Sequence, residues 1–260
     1  MEELKDTVVR AFFGKKTEGF LGELKDKLVE LSDSLIEDAV RKPVTPIWEE
    51  MKRDARLPFA LTDDKEPDGL AVIRTFAEAL QGTGIQIHLA GHSTGAVLLG
   101  HLLDALDELN NPDLIHSCSL LAPACTLDFF QRHYADRLGK LQAGTGRVTL
   151  PALDIYNLSE KLEQDDNVAG VYRKSLLYLV SRALERRIDK PILGMKTWSK
   201  TLPAMSGLHL HYSEGNKGQI TRSTSHGGFD NDYRTMNAIL KRILGKEPPH
   251  PFVEKEMKGY

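Results

Sequence analysis

From residue 85 the chain alternates short β-rich runs with stretches of helical period, and this alternation most narrows the folds open to it. Ile85 to Ala90 reads as a strand between Gly84 and Gly91, and Ala96 to Leu109 follows as a helix. Ile115 to Leu121, Val148 to Tyr156 and the alternating Leu208, Leu210 and Tyr212 read as further strands. Helices are expected over Leu127 to Leu138, Val171 to Ile188 and Tyr233 to Leu244. Strands separated by helices pair in parallel when each helix crosses back over the sheet, so the expected class is α/β, a parallel sheet flanked by helices.

Residues 1–80 have a different texture. They hold 13 basic and 18 acidic residues, so 31 of the 80 are charged, against 40 in the remaining 180. Leu21, Leu24, Leu28, Leu31, Leu35 and Ile36 recur at three- and four-residue spacing, as on an amphipathic helix. Pro43, Pro46, Pro58 and Pro67, with Trp48 and Phe59 among them, predict a turn-rich wrap over Pro43 to Pro67. Leu70 to Leu80 reads as a helix. The expected organisation is a helical N-terminal region over residues 1–80 serving as cap or sheet cover, a core over residues 81–245 and a C-terminal tail over residues 246–260.

Composition removes several classes of function. With 260 residues, 41% hydrophobic and 27% charged, the chain has ordinary globular proportions rather than those of a disordered or fibrous one. A net charge of -3 offers no electrostatic footprint for nucleic acid. No apolar run approaches the roughly 18 residues of a membrane span, and Met1 opens onto Glu2, Glu3, Lys5 and Asp6 rather than an apolar leader. Cys118 and Cys125 form neither a CxxC pair nor a disulfide framework and read as buried thiols. The expectation is a cytoplasmic protein with no nucleic-acid or membrane partner.

The chemistry concentrates at Gly91-His92-Ser93-Thr94-Gly95, a GxSxG at a strand-to-helix junction. A serine there is held on a sharp turn with its hydroxyl exposed, and the flanking glycines are expected to relieve crowding of a Cβ against strand and helix. The bare pattern is weak; its strand-turn-helix setting marks Ser93 as the candidate nucleophile. A hydroxyl is a poor nucleophile at neutral pH, so it requires a general base, and that base an orienting acid. His226, in Ser225-His226-Gly227-Gly228, lies on a Gly-rich loop between the last strand and the last helix, from which it can reach the strands' carboxyl ends. His92 is expected to face away from the hydroxyl, His88 alternates within a strand, and His101 reads as structural. His209 and His211 share a face, but no set of Asp, Glu or Cys at ligand spacing accompanies them.

For the acid, Asp166 follows a strand by a polar loop, Asn157 to Asn167, and is preferred. Asp165 beside it and Asp128 past the preceding strand remain rivals, while Asp154 lies within a strand.

Ser93, Asp166 and His226 stand in the chain order Ser, Asp, His, and over residues 84–245 the elbow GHSTG, the Asp-Asn-Val of residues 166–168 and the Ser-His-Gly-Gly loop resemble the α/β-hydrolase superfamily. The resemblance implies a shortened hydrolase-like sheet and a serine ester hydrolase acting on a small-molecule acyl ester through an acyl-enzyme intermediate, with no metal or organic cofactor. It also implies that the backbone N–H of Thr94 is one oxyanion donor. The family's early strands, one of which ends in a loop that supplies the second donor, have no counterpart in residues 1–80, so the chain looks like the later portion of a longer hydrolase. The segment Lys190 to Met205 either lines an acyl pocket or packs against the sheet. A binding protein that keeps the triad residues without a complete oxyanion hole is the rival reading, and an acyltransferase is a third. The missing strands leave Ile85 to Ala90 without a partner on one side, which predicts either a helical cover or a homodimer.

Overall fold

The computed structural model describes residues 33–60, 67–80, 82–109, 111, 113–139, 147–168, 170 and 172–257. Most of the amphipathic run from Leu21 to Ile36 lies outside the described residues. Among the described residues, four strands form one sheet, β1 (Ile87–His92), β2 (Ile115–Leu121), β3 (Leu153–Leu158) and β4 (Leu208–Ser213). They lie in the order β1-β2-β3-β4, and every pair is parallel. The α/β class expected from the alternation is therefore what the chain forms.

Register assigns the two faces of the sheet. Leu89 pairs with Cys118, Cys118 with Leu153 and Leu153 with Leu208, and two residues along Gly91, Leu120, Ile155 and Leu210 are in line. These residues face the helices that follow β1 and β2. Those helices are α3 (Gly95–Asp107) and α4 (Leu127–His133), which bury Ala96, Leu99, Leu103, Leu106 and Phe130 against the sheet. The opposite face carries His88, Ala90, Ser117, Ser119, Asp154, Tyr156, His209 and His211. Here α8 (Tyr233–Leu244) anchors through Arg242, whose Nε and Nη2 donate to Asp154 Oδ2 and Oδ1 at 2.6 and 2.9 Å. That pair and His211, 2.9 Å from Asp154 Oδ1, hold the buried carboxyl below the usual carboxylate range against the opposing effect of burial.

In its described residues up to Phe59 the proline-rich segment is helical rather than a turn-rich wrap, and residues 61–66 of it lie outside the described residues. Asp33–Arg56 is one helix, α1, with Pro43 and Pro46 inside it. Each proline removes a helical N–H and costs about 3 kcal/mol in an ordinary helix interior. Tertiary packing offsets the loss: Ile36, Val40, Val44 and Trp48 form a four-residue stripe that is buried throughout. Its polar flank is satisfied as well, since Trp48 Nε1 donates to Glu185 Oε1 at 2.8 Å, Thr45 Oγ1 to Ala183 O at 3.0 Å and Tyr172 OH to Glu37 Oε1 at 2.6 Å. A second helix, α2 (Asp68–Leu80), precedes the sheet.

Several element boundaries also differ from the expected ones: β1 runs two residues later than Ile85 to Ala90, and the helix from Leu127 ends at His133, with one 3-10 turn, Ala135–Arg137, after it. The strand expected at Val148 to Tyr156 begins only at Leu153, because Val148 to Pro151 runs past the end of α4, where Leu150 bridges Leu138. The helix expected from Val171 to Ile188 shortens to α6 (Leu176–Leu179) and one π-helical turn, Val180–Leu184, which packs against α1. The loop expected from Asn157 to Asn167 contains a helix, α5 (Glu160–Asp165), capped by Ser159. A short helix α7 (Lys196–Ser199) lies within Lys190 to Met205. In that segment Ile192, Leu193 and Met195 are buried in the core and Leu193 N donates to Cys125 O, so the segment packs against the sheet.

Candidate functional site

The turn after β1 is pinned at Ser93. Its N–H donates to Leu121 O at 2.9 Å, and its carbonyl accepts from Ala96 N at 3.2 Å and Ala124 N at 3.0 Å. The backbone between these anchors is forced to φ 55° at Ser93, a left-handed conformation that a non-glycine residue adopts at a cost of order 1–3 kcal/mol. The side chain then stands on the outside of the bend, at the carboxyl end of the strands.

The two flanking glycines are not equivalent. A Cβ at Gly91 would meet Leu99 Cδ1 at 2.8 Å and the Gly95 backbone at 3.1 Å, so strand and helix can approach only over a glycine there. A Cβ at Gly95 would meet nothing within 4 Å. Crowding thus accounts for one of the two glycines expected to relieve it.

His226 opens a single 3-10 turn, His226–Gly228, between β4 and α8. The loop that carries it is tied down by Asp232, whose carboxylate accepts from Arg222 N at 2.5 Å and Thr235 Oγ1 at 2.6 Å. From there His226 Nε2 lies 3.0 Å from Ser93 Oγ. Burial, followed by the neighbouring His92 ring, lowers the His226 pKa from 6.5 to about 3.

His92 has a part the sequence did not assign to it. Its Nε2 lies 2.9 Å from the carbonyl oxygen of His226, so the imidazole of the elbow holds the backbone of the histidine facing its neighbour. The ring centroids are 5.2 Å apart.

The three acid candidates separate cleanly. Asp166 caps the carboxyl end of α5, and its Oδ2 accepts the backbone N–H of His226 at 2.8 Å while Oδ1 accepts that of Asn167 at 2.8 Å. Asp165 pairs with Lys161 on the surface, and Asp128 pairs with Lys190. Of the three, only Asp166 is brought to His226, and it meets the main chain rather than the ring. His226 Nδ1 is buried and has no hydrogen-bond partner among the described residues.

Glu163, one turn before Asp166 on α5, is a second feature that sequence spacing concealed. It is 1% exposed, one oxygen bonds Ser175 Oγ and Oε1 has no partner among the described residues. Burial, against the Ser175 hydrogen bond and with the nearby Asp166 charge, raises its pKa to about 8. A lone carboxylate among charged neighbours in sequence reads as solvated; only the fold shows that this one is not.

Thr94 follows Ser93 at the amino end of α3, with no acceptor for its N–H among the described residues. The elbow strand β1 has a neighbour on one side only, again among the described residues. Cys118 and Cys125 are both buried, which pushes the Cys125 thiol up to about 12 and that of Cys118 higher still.

A cleft of about 570 Å³ opens between α1, α3 and α4. Ala124, whose N–H holds the Ser93 carbonyl, lies in its wall, but neither Ser93 nor His226 lines it. No helix among the described residues is long and apolar enough to cross a membrane. Comparison with protein-family models, with curated proteins and with solved structures finds no match to this chain.

Proposed function

We propose that the protein is a serine hydrolase of carboxylic esters, built as a shortened relative of the α/β-hydrolases. The observation that carries this reading is the 3.0 Å approach of His226 Nε2 to the hydroxyl of Ser93 on its left-handed turn. A serine on a constrained strand-to-helix turn with an imidazole at hydrogen-bond distance is the arrangement nucleophilic acyl transfer requires. Ser93 Oγ attacks the acyl carbonyl as His226 Nε2 takes its proton, and the imidazolium returns that proton to the leaving alcohol. Water then attacks the acyl-enzyme with His226 again as base, releasing the acid and restoring the serine.

For Nε2 to accept, the imidazole proton must sit on Nδ1. That position is buried and has no partner among the described residues, so the reading needs a carboxylate to turn toward it. Asp166, already hydrogen-bonded to the same residue, is the proposed acid. Catalytic hydrogen bonds commonly tighten only when substrate is bound. Thr94 N–H supplies one oxyanion donor.

The same orphaned nitrogen favours the second reading, a hydrolase-like binding protein in which the pair is present but not driven. Hydrolysis of p-nitrophenyl acetate and butyrate by the parent and by Ser93→Ala separates the two. The proposal expects turnover that Ser93→Ala abolishes; turnover that survives the substitution, or none in either protein, contradicts it.

A further inference from the structure

On the opposite side of α3 from the sheet, we infer that His101, Asp104 and His133 form a binding site for a divalent late first-row metal ion, with zinc(II) the ion that the donor set suits best. One ligand atom from each of the three lies within 4.8 Å of the others. Zinc takes imidazole nitrogen and carboxylate oxygen at about 2.0–2.2 Å, so modest side-chain rotation brings all three onto one ion. This inference does not rest on the hydrolase reading.

The cluster is built by helix packing. His101 and Asp104 stand at i and i+3 on α3 and so share a face, while His133 ends α4. Gly100 brings the two helices together, because a Cβ there would meet Phe129 Cε1 at 2.4 Å. The Phe129 ring stacks on His133 at 3.9 Å and meets His101 edge-on at 5.3 Å, leaving the two imidazoles 5.1 Å apart. Two rings held by one aromatic wedge lose little freedom when they bind an ion.

The carboxylate is oriented as a ligand's would be. Arg137, whose side chain is fully buried, donates from Nη2 to Asp104 Oδ1 at 2.9 Å and pairs with Asp107, so Oδ2 is the oxygen turned to the histidines. His133 Nδ1 lies 2.7 Å from that oxygen. A metal ion would replace this hydrogen bond, with Arg137 as the outer partner that fixes the carboxylate. His101 also lines the 570 Å³ cleft and, with Asp104, a smaller one of about 360 Å³, so an ion can enter and a fourth position remains for water or an anionic group. Three protein ligands and one open position are the pattern of a reactive rather than a purely structural zinc site.

The test is titration of tag-free, chelator-treated full-length protein with zinc(II) by calorimetry, and with cobalt(II) followed by its visible absorption. One ion per chain is expected, together with cobalt bands of tetrahedral intensity and a rise in melting temperature with zinc. His133→Ala and Asp104→Asn should each weaken binding tenfold or more, and His101→Gln, which keeps a polar side chain of similar length, should do the same. His209→Ala should leave binding unchanged. Absence of binding by the parent, or binding that the three substitutions do not weaken while the variants remain folded by circular dichroism, overturns the site.

Discussion

Asp166 meets His226 at the main chain: its Oδ2 accepts the backbone N–H at 2.8 Å, while the ring nitrogen that a triad acid would hold has no partner among the described residues. Two roles for Asp166 follow from this relationship, and two substitutions tell them apart. Asparagine keeps an oxygen for the N–H but lacks the charge that stabilises an imidazolium.

If Asp166 orients and stabilises the imidazole during turnover, Asp166→Asn lowers kcat by about 10⁴, the cost of the same change in the best-studied serine triad. Asp165→Asn and Asp128→Asn, whose carboxylates pair with Lys161 and Lys190, retain most activity. Near-parent activity in Asp166→Asn with loss only in Asp166→Ala would assign Asp166 to anchoring the loop. Steady-state ester hydrolysis by the four variants makes the comparison.

The pH dependence has a definite sign. A base is competent when unprotonated, and burial with the His92 ring nearby lowers His226 from 6.5 to about 3. If His226 is the base of the proposed hydrolysis, kcat/KM should therefore hold as pH falls through 6 and decline only well below the ordinary imidazole range. A limb centred at 6.5 or above in the pH profile would show that a carboxylate already faces the ring in solution.

Glu163 makes stability depend on pH in the opposite direction from an ordinary carboxylate. Its folded pKa is raised from 4.5 to about 8, so its contribution is complete below 4.5 and is lost as pH rises through 8. Glu163→Gln keeps the shape and removes the titration. Melting curves should place it level with the parent at pH 4.5 and higher by at least about 3 °C at pH 8.5, the shift that roughly 1 kcal/mol gives in a chain of this size. Equal melting temperatures at both pH values contradict the burial of a proton here.

The exposed side of β1 predicts self-association. Ala90 is exposed on a strand paired only with β2 among the described residues, and a second copy laid along it would continue the sheet. Light scattering should return twice the 29.0 kDa chain mass, and Ala90→Lys, a charge set on the edge, should return the chain mass itself. A parent protein at 29.0 kDa and micromolar concentration excludes this pairing.

What was legible in the sequence follows the range of the forces involved. Local period and turn chemistry placed Ile115–Leu121 and Tyr233–Leu244 at their observed bounds. The strand-turn-helix around Ser93 was readable because glycine punctuation and apolar period agree there. The helix through Pro43 and Pro46 was not, since its stability comes from burying Trp48 and Val44 against a segment more than 130 residues away. Contacts between distant side chains left the least trace. His92 on the His226 carbonyl, the buried Glu163 and the grouping of His101 with His133 each depend on packing that spacing does not encode.

The proposed hydrolysis requires Ser93 to be an activated nucleophile, and a fluorophosphonate probe reads this without a known substrate, because such a probe reacts with a serine hydroxyl only where a base draws off its proton. Intact mass should rise by one adduct per chain, peptide mapping should place it on Ser93, and Ser93→Ala and His226→Ala should both remain unmodified. An unmodified parent protein, or an adduct that persists in Ser93→Ala, would show that Ser93 is not such a nucleophile.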